Sequence, residues 1–202
     1  MVHASELMSY ENKLLAEGCR YICGVDEVGR GPLAGPVTCA AVIMPLDDLI
    51  EGVNDSKKVA KKKREKLAAL IKEKAVAYSI VSYDNFKIDK MNILAATKAC
   101  MTEAIMSLAV KPDVVLVDAV KLDIPYRTEG IIHGDALSYS IAAASIIAKV
   151  ERDEFMKEAA EKYPQYDFEN NVGYGTAKHI AALKEFGPTE IHRRTFIKNF
   201  VK

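Results

Sequence analysis

Two apolar runs near the start of the chain constrain its fold most. Residues 20–25, RYICGV, and 37–44, VTCAAVIM, are each long enough for one strand, and the link between them is rich in Gly and Pro. Parallel neighbours need a crossover, usually a helix, whereas this link has no helical pattern, so the two runs are expected to pair antiparallel. Pro45 ends the second run. A third strand is expected at 75–83, AVAYSIVSY, from its β-branched and aromatic content. DVVLVD (113–118) reads as a buried strand closing on a carboxylate, and 129–133 as a further short strand. These later strands alternate with helical patterns, which favours parallel crossovers. The expected class is α/β, a mixed sheet flanked by helices.

The helices follow from apolar spacing. Residues 5–17 place Leu7, Tyr10, Leu14 and Leu15 on one side. A second helix carries Val59, Leu67, Leu70 and Ile71, with Asn54, Asp55 or Ser56 as its cap. A third spans 89–109 with Asp89 as cap. A long Ala-rich helix starts at Asp135 or Ala136 and runs to about Lys162, and GTAKHIAALKEFG holds another before a basic end. No repeat, low-complexity tract or long linker marks a second domain. One domain over 1–202 is expected, with a helical tail from about residue 160 packed on it.

Bulk charge is uninformative, because Lys plus Arg and Asp plus Glu each number 28. No stretch approaches the roughly 18 uninterrupted apolar residues of a membrane helix, and the start shows no basic-then-apolar leader pattern. A cytoplasmic protein without membrane partner is expected. Cys19, Cys23, Cys39 and Cys100 form no CxxC pair and have no His at zinc spacing, so they read as small buried hydrophobes.

Acidic residues at strand ends carry the chemistry. Asp26 and Glu27 end the first strand, Asp118 ends DVVLVD, and Asp135 lies where the next helix begins. Singly, each reads as a turn residue or a helix cap. If strands one and four are parallel neighbours, however, Asp26 and Asp118 meet at their carboxyl ends, where open sheets gather ligands. Clustered hard oxygens select Mg²⁺ or Mn²⁺, and two such ions roughly 3.5–4 Å apart serve phosphoryl displacement. Adjacent strand residues point to opposite faces. Asp26 and Glu27 therefore share one ion only if the strand twists or bulges, a distortion that Gly24 and Gly29 permit.

GRGPLAG lacks the Lys-Ser/Thr of a phosphate-binding P-loop and reads either as a plain connection or as a ligand contact. In the second reading, Gly29 and Gly31 admit close backbone approach, and Arg30 offers a planar fork to phosphate or sugar oxygens. The 2′-hydroxyl is the group that separates RNA from DNA. Residues 57–66, KKVAKKKREK, hold seven basic residues against one Glu, and HRRTFIKNFVK is a second basic cluster. Such stripes are either solvated faces or tracks for a phosphate backbone. Tyr174, set in GYGT, is a loop tyrosine or a ring that stacks on a sugar or base.

Taken together, GVDEVGRGPLAGPV, NDSKK, VLVD, GD…AAASIIAKVERD, YGT…H and HRRTF resemble the ribonuclease HII family, in family order from about residue 22 to 196. The resemblance implies a ribonuclease H-like fold with a five-stranded mixed sheet. It implies a two-metal endonuclease that cuts RNA in RNA–DNA hybrids and incises 5′ of single ribonucleotides in duplex DNA. Asp26, Glu27, Asp118 and Asp135 would be its metal-binding, catalytic acids. Gly29, Arg30 and Gly31 would read the ribose 2′-hydroxyl, Tyr174 would pack on the next deoxyribose, and Lys57 and Lys58 would lie near phosphates. A monomer is expected. Three departures are local: Ala119 stands where the family often has Gly, His133 where it often has Lys, and NDSKKVA where a Leu-Ser ending is more usual. Absence of the long N-terminal extension of ribonuclease HIII favours HII. The rival readings are a ribonuclease H-like nuclease for another nucleic acid, of junction-resolvase type, and a non-catalytic hybrid-binding module.

Overall fold

The computed structural model describes residues 3–201. Its centre is a five-stranded sheet of order β3-β2-β1-β4-β5, formed by β1 (Ile22–Val28), β2 (Val37–Ile43), β3 (Ala77–Tyr83), β4 (Val114–Asp118) and β5 (Arg127–Ile131). β1 pairs antiparallel with β2, and β2 with β3. On its other side β1 pairs parallel with β4, and β4 with β5. The expected mixed sheet is therefore present, with its parallel half where strands and helices alternate.

Among the described residues, eight α-helices follow in chain order: α1 (Ser9–Ala16), α2 (Lys61–Lys74), α3 (Asn85–Met91), α4 (Ile93–Met106), α5 (Tyr139–Lys162), α6 (Phe168–Asn171), α7 (Ala177–Phe186) and α8 (Arg194–Ile197). α5 and α2 cover one face of the sheet, where Tyr139, Ala142, Ala143, Ile146 and Ile147 pack with Leu67, Ile71, Ala40 and Val42. α4 covers the other face, with Cys100, Met101, Ala104 and Ile105 against Val25, Cys39, Ala41, Val115 and Val117. The two faces of β2 are thus both buried, which explains its unbroken apolar run. Cys23, Cys39 and Cys100 are buried, Cys19 is half-buried, and all four are free thiols. Among the described residues, no helix is long and apolar enough to cross a membrane.

Several boundaries differ from the sequence reading, each for a local reason. The stretch 89–109 is two helices, broken at Asn92, whose φ of 68° is left-handed and whose side chain caps Ala95 N–H at 3.0 Å. Asp84 caps α3. Asp89 lies within α3 and accepts the backbone N–H groups of Arg194 and Thr195 at 2.7 and 3.0 Å, tying down α8. Asp55 caps a single 3₁₀ turn, Ser56–Lys58, and α2 begins only at Lys61. A 3₁₀ turn at Ala4–Leu7 precedes α1. Asp135 lies in the 3₁₀ turn Gly134–Ala136, and the cap of α5 is Ser138, which accepts from Ile141 N–H at 3.2 Å.

The start of α5 is held by an acid that the sequence does not advertise. Glu11, on α1 and fully buried, accepts from Ser138 Oγ at 2.6 Å and from Ser140 N–H at 2.9 Å. A carboxylate there satisfies free N–H groups and complements the positive end of the helix dipole. Gly24 lets that same end of α5 rest on β1. A Cβ at position 24 would stand 2.1 Å from the Ser140 carbonyl carbon.

Candidate active site

The carboxyl ends of the parallel strands β1 and β4 lie side by side. Their ladder runs from Ile22↔Val114 to Val25↔Val117. Asp26 and Asp118 are the next residue of each strand, so the sheet itself sets them as neighbours. Asp118 Oδ1 accepts from Gly134 N–H at 2.7 Å, and Ala119 N–H donates to Ile131 O at 3.0 Å. These two bonds fasten the Asp135 turn to the end of β4. Ala119 holds a φ of 49° to make this connection. That left-handed conformation costs a non-glycine residue about 1–2 kcal/mol.

Glu27 is reached without distortion. The β1–β2 register continues unbroken through Asp26↔Ala40, Glu27↔Cys39 and Val28↔Thr38, so β1 carries no bulge there. Ala40 belongs to the apolar cluster under α5 and Cys39 to the one under α4. Asp26 and Glu27 therefore leave β1 on opposite faces, and the acidic site wraps around the end of the sheet.

The electrostatics support one connected site. Burial pushes the Asp26 carboxyl well above the carboxylate range, and the charges of Glu27, Asp118 and Asp135 push it further. Burial also raises Glu27, against the opposing pull of Arg30, while Asp118 adds to the rise. Asp135 is raised by burial and by Asp55, and lowered by Lys57. Asp55 is thus a fifth acid at the site. Its sequence signal, an Asp before Ser-Lys-Lys, reads equally well as a cap, and it does cap Lys57 N–H at 2.9 Å.

The protein's own cations partly offset this charge. Arg30 Nη1 lies 3.3 Å from Glu27 Oε1, Lys57 Nζ lies 3.6 Å from Asp135 Oδ2, and Lys58 Nζ lies 3.7 Å from Asp55 Oδ2. Among the described residues, no three His, Cys, Asp or Glu side chains close on a single point as a finished metal cage. The donor set nonetheless fits a hard cation. It is all carboxylate, and Glu27 Oε2 is buried with no hydrogen-bond partner, a cost that a bound ion would relieve.

Next to the acids, the turn after β1 meets Tyr174. Gly29 has a φ of 92° and packs against Arg152, whose Nε would be 2.2 Å from any Cβ placed there. The Tyr174 ring lies 3.4 Å from the Cβ position of Gly31 and is 47% exposed. The structure thus brings Gly29, Arg30, Gly31 and Tyr174 together beside the carboxylates, although more than 140 residues of chain lie between Gly31 and Tyr174.

The basic clusters are only partly available to a polyanion. Arg64 turns inward to Ser56 O (2.6 Å), Val59 O (3.1 Å) and Asp153 (3.5 Å), leaving Lys61, Lys62, Lys63 and Lys66 exposed on α2. In HRRTF, His192 and Arg193 are completely buried, so that end of the chain is not a surface stripe.

A mixed sheet in this strand order, with carboxylates gathered where its parallel strands end, defines a ribonuclease H-like nuclease. Comparison with known proteins narrows the class. The family model for Ribonuclease HII matches residues 23–199. The chain is 53% identical to Ribonuclease HII of Ruminiclostridium cellulolyticum, over 100% of this chain and 80% of that protein. It is also 53% identical to Ribonuclease HII of Caldicellulosiruptor bescii, over 95% of this chain and 93% of that one. Among solved structures, ribonuclease H2 of Pyrococcus horikoshii OT3 superposes with a TM-score of 0.75 at 27% identity, covering 90% of this chain and 97% of that one. The ribonuclease HII of Archaeoglobus fulgidus, solved in complex with PCNA, superposes with a TM-score of 0.73 at 28% identity, covering 86% and 94%. The chain belongs to the ribonuclease HII family. It is an endoribonuclease that acts on RNA–DNA hybrids, which excludes the non-catalytic binding module.

Proposed function

We propose that this chain is a divalent-metal-dependent nuclease that recognises a ribose within a duplex and incises on its 5′ side, including at a single ribonucleotide embedded in DNA. The observation that carries this reading is the adjacency of two unlike groups: the acids at the ends of β1 and β4, and the Gly29–Gly31 turn under Tyr174. One set does the chemistry and the other inspects the sugar.

Asp26, Glu27, Asp118 and Asp135 would hold Mg²⁺ or Mn²⁺. Bound there, such ions supply an activated water and charge stabilisation at the leaving oxygen. The chain's own contribution is placement. The parallel ladder sets Asp26 beside Asp118, and Gly134 N–H holds the Asp118 carboxylate. Lys57 and Arg30, paired with Asp135 and Glu27, are free to exchange these partners for phosphate oxygens of the substrate. Lys58 is the second cation of that turn. The backbone of Gly29, Arg30 and Gly31 would meet the 2′-hydroxyl, and Tyr174 the following sugar. Discrimination then rests on the sugar, with no base edge read.

The test is a DNA duplex carrying one ribonucleotide, incubated with Mg²⁺, with Mn²⁺ and with chelator. Incision 5′ of the ribonucleotide is expected with metal only. No incision with either metal, or equal cutting of an all-DNA duplex, overturns the reading, and the second result favours a nuclease for another substrate.

A further inference from the structure

The two loops that face the substrate do not hold themselves. The Gly29–Pro36 segment has few hydrogen bonds of its own, and its carbonyls are satisfied from the far end of the chain. Arg193 Nη2 donates to Gly29 O (2.5 Å) and Gly35 O (2.9 Å), its Nη1 to Arg30 O (2.9 Å), and its Nε to Gly35 O (3.0 Å). The backbone joins in, with Arg193 N–H on Leu33 O (2.9 Å), Gly35 N–H on Ile191 O (3.0 Å) and an antiparallel bridge between Ala34 and His192.

Arg152, on α5, fastens this segment to the loop before Tyr174. Its Nε donates to Pro36 O (2.9 Å), its Nη2 to Ala34 O (3.2 Å) and its Nη1 to Val172 O (3.0 Å). Leu33 N–H adds a direct bond to Gly173 O (2.8 Å).

His192, the neighbour of Arg193, points the other way and reaches Tyr174 through one intermediary. Thr189 N–H donates to His192 Nδ1 (2.9 Å). That bond leaves the His192 proton on Nε2, which donates to His179 Nε2 (3.0 Å). His179 in turn donates from Nδ1 to Tyr174 O (2.9 Å). Every ring nitrogen is used, so both tautomers are assigned by their partners.

The arrangement is costly. Arg152 and Arg193 are completely buried, and among the described residues neither has a carboxylate within ion-pair distance; burial lowers Arg152 to about 10 and Arg193 to about 9. Apolar side chains of similar volume would stabilise such a site at least as well. A guanidinium adds a rigid planar fork, which holds several carbonyls at one fixed geometry.

We propose that Arg193, Arg152 and His192 are positioning residues for substrate discrimination: they fix the spacing between the Gly29–Gly31 turn and the Tyr174 ring, against which a ribose and the sugar after it are measured. This rests on the reading that the turn and Tyr174 face the substrate. None of the three touches substrate, and each acts through the backbone of a loop that does.

The experiment compares Arg193→Lys with wild type and with Ile105→Ala, a destabilising change on the core side of α4 at a residue that makes none of the hydrogen bonds described above. The readout is junction preference, meaning kcat/KM on duplex DNA with one ribonucleotide divided by kcat/KM on a continuous RNA–DNA hybrid. Lysine keeps the charge and loses the fork. Arg193→Lys is expected to lower that ratio by about tenfold or more, chiefly through kcat, since small misplacements of a positioning group are amplified in rate. Ile105→Ala should lower the melting temperature and leave the ratio alone. A ratio for Arg193→Lys no lower than that of Ile105→Ala overturns the proposal. If Arg193→Lys does not fold, His192→Gln decides instead, with the same expected fall and the same overturning result. Gly31→Ala and Tyr174→Ala separate the two layers. If both leave junction preference unchanged, the loops do not read the sugar and the proposal falls with that reading. If both lower it while the positioning variants do not, only the proposal fails.

Discussion

Asp26 shows how one residue can weaken a fold and serve a site. Its carboxylate is nearly buried, accepts Glu27 N–H at 2.8 Å, and faces the charges of Glu27, Asp118 and Asp135. Its raised pKa means that the folded state binds this proton more tightly than the unfolded chain does. The stabilisation that protonation brings is present at low pH and is lost as pH rises past the folded value. At neutral pH the ionised cluster therefore works against folding. Asp26→Asn keeps the acceptor oxygen and removes the charge. In chelator it should raise stability by about 1–2 kcal/mol, while incision falls by at least about 10³-fold. Thermal melting and a gel-based incision assay check both halves, and a destabilised Asp26→Asn would contradict the account. Added Mg²⁺ or Mn²⁺ should raise the melting temperature of the wild type more than that of the variant.

At the scale of elements, the site depends on how closely α5 lies against β1. That contact is possible because position 24 has no side chain and the facing helix begins Tyr-Ser-Ile-Ala-Ala-Ala. Gly24→Ala places its methyl group against Ser140 backbone, which cannot rotate away, so α5 or β1 must shift. The expected cost is about 3 kcal/mol or more, measured by urea unfolding, with incision lost because the Asp135 turn precedes α5. A cost below about 1 kcal/mol would show that the helix has room to move. On sequence, Gly24 reads as a residue that lets β1 distort. In the fold β1 is regular there, and the glycine serves the neighbouring helix. Sequence alone does not separate these uses, because both ask only for a missing Cβ.

Across the whole molecule, the C-terminal segment packs on the link between β1 and β2, and the His192–His179 pair is buried. Burial, then the neighbouring His179 and Arg194, lower His192 to about 3. Burial likewise lowers His179. With a folded pKa below the unfolded value of about 6.5, His192 contributes its full stability above about pH 6.5. That contribution is lost progressively as pH falls toward 3, because the unfolded chain binds the proton that the folded state refuses. The cost of His192→Gln should accordingly be greatest at pH 7–8 and smaller by about 1–2 kcal/mol at pH 5. Denaturant unfolding at both pH values checks this, and a pH-independent cost would mean that the pair is not held neutral.

Local pattern was enough for much of this protein. The apolar runs at 20–25, 37–44 and 113–118 announced strands, because period and β-branched content act within a few residues. The helix-free link announced the antiparallel half of the sheet, and Asp26, Glu27, Asp118 and Asp135 were legible as acids at strand ends. What only the tertiary structure decided is where side chains go once distant segments meet. It kept β1 regular through Asp26 and Glu27, so that the two acids stay on opposite faces at the end of the central strand, added Asp55 and Glu11 as buried acids, and turned Arg193 from a member of a basic cluster into the anchor of the Gly29–Gly31 turn. The physical reason is the same in each case. Burial and hydrogen-bond partners are properties of neighbours in space, and a charged residue carries no mark in sequence that tells a solvated face from a buried fork. The unlike fates of Arg193 and Arg194, adjacent in HRRTF, were settled by the carbonyls of residues 29–35 arriving from the other end of the chain.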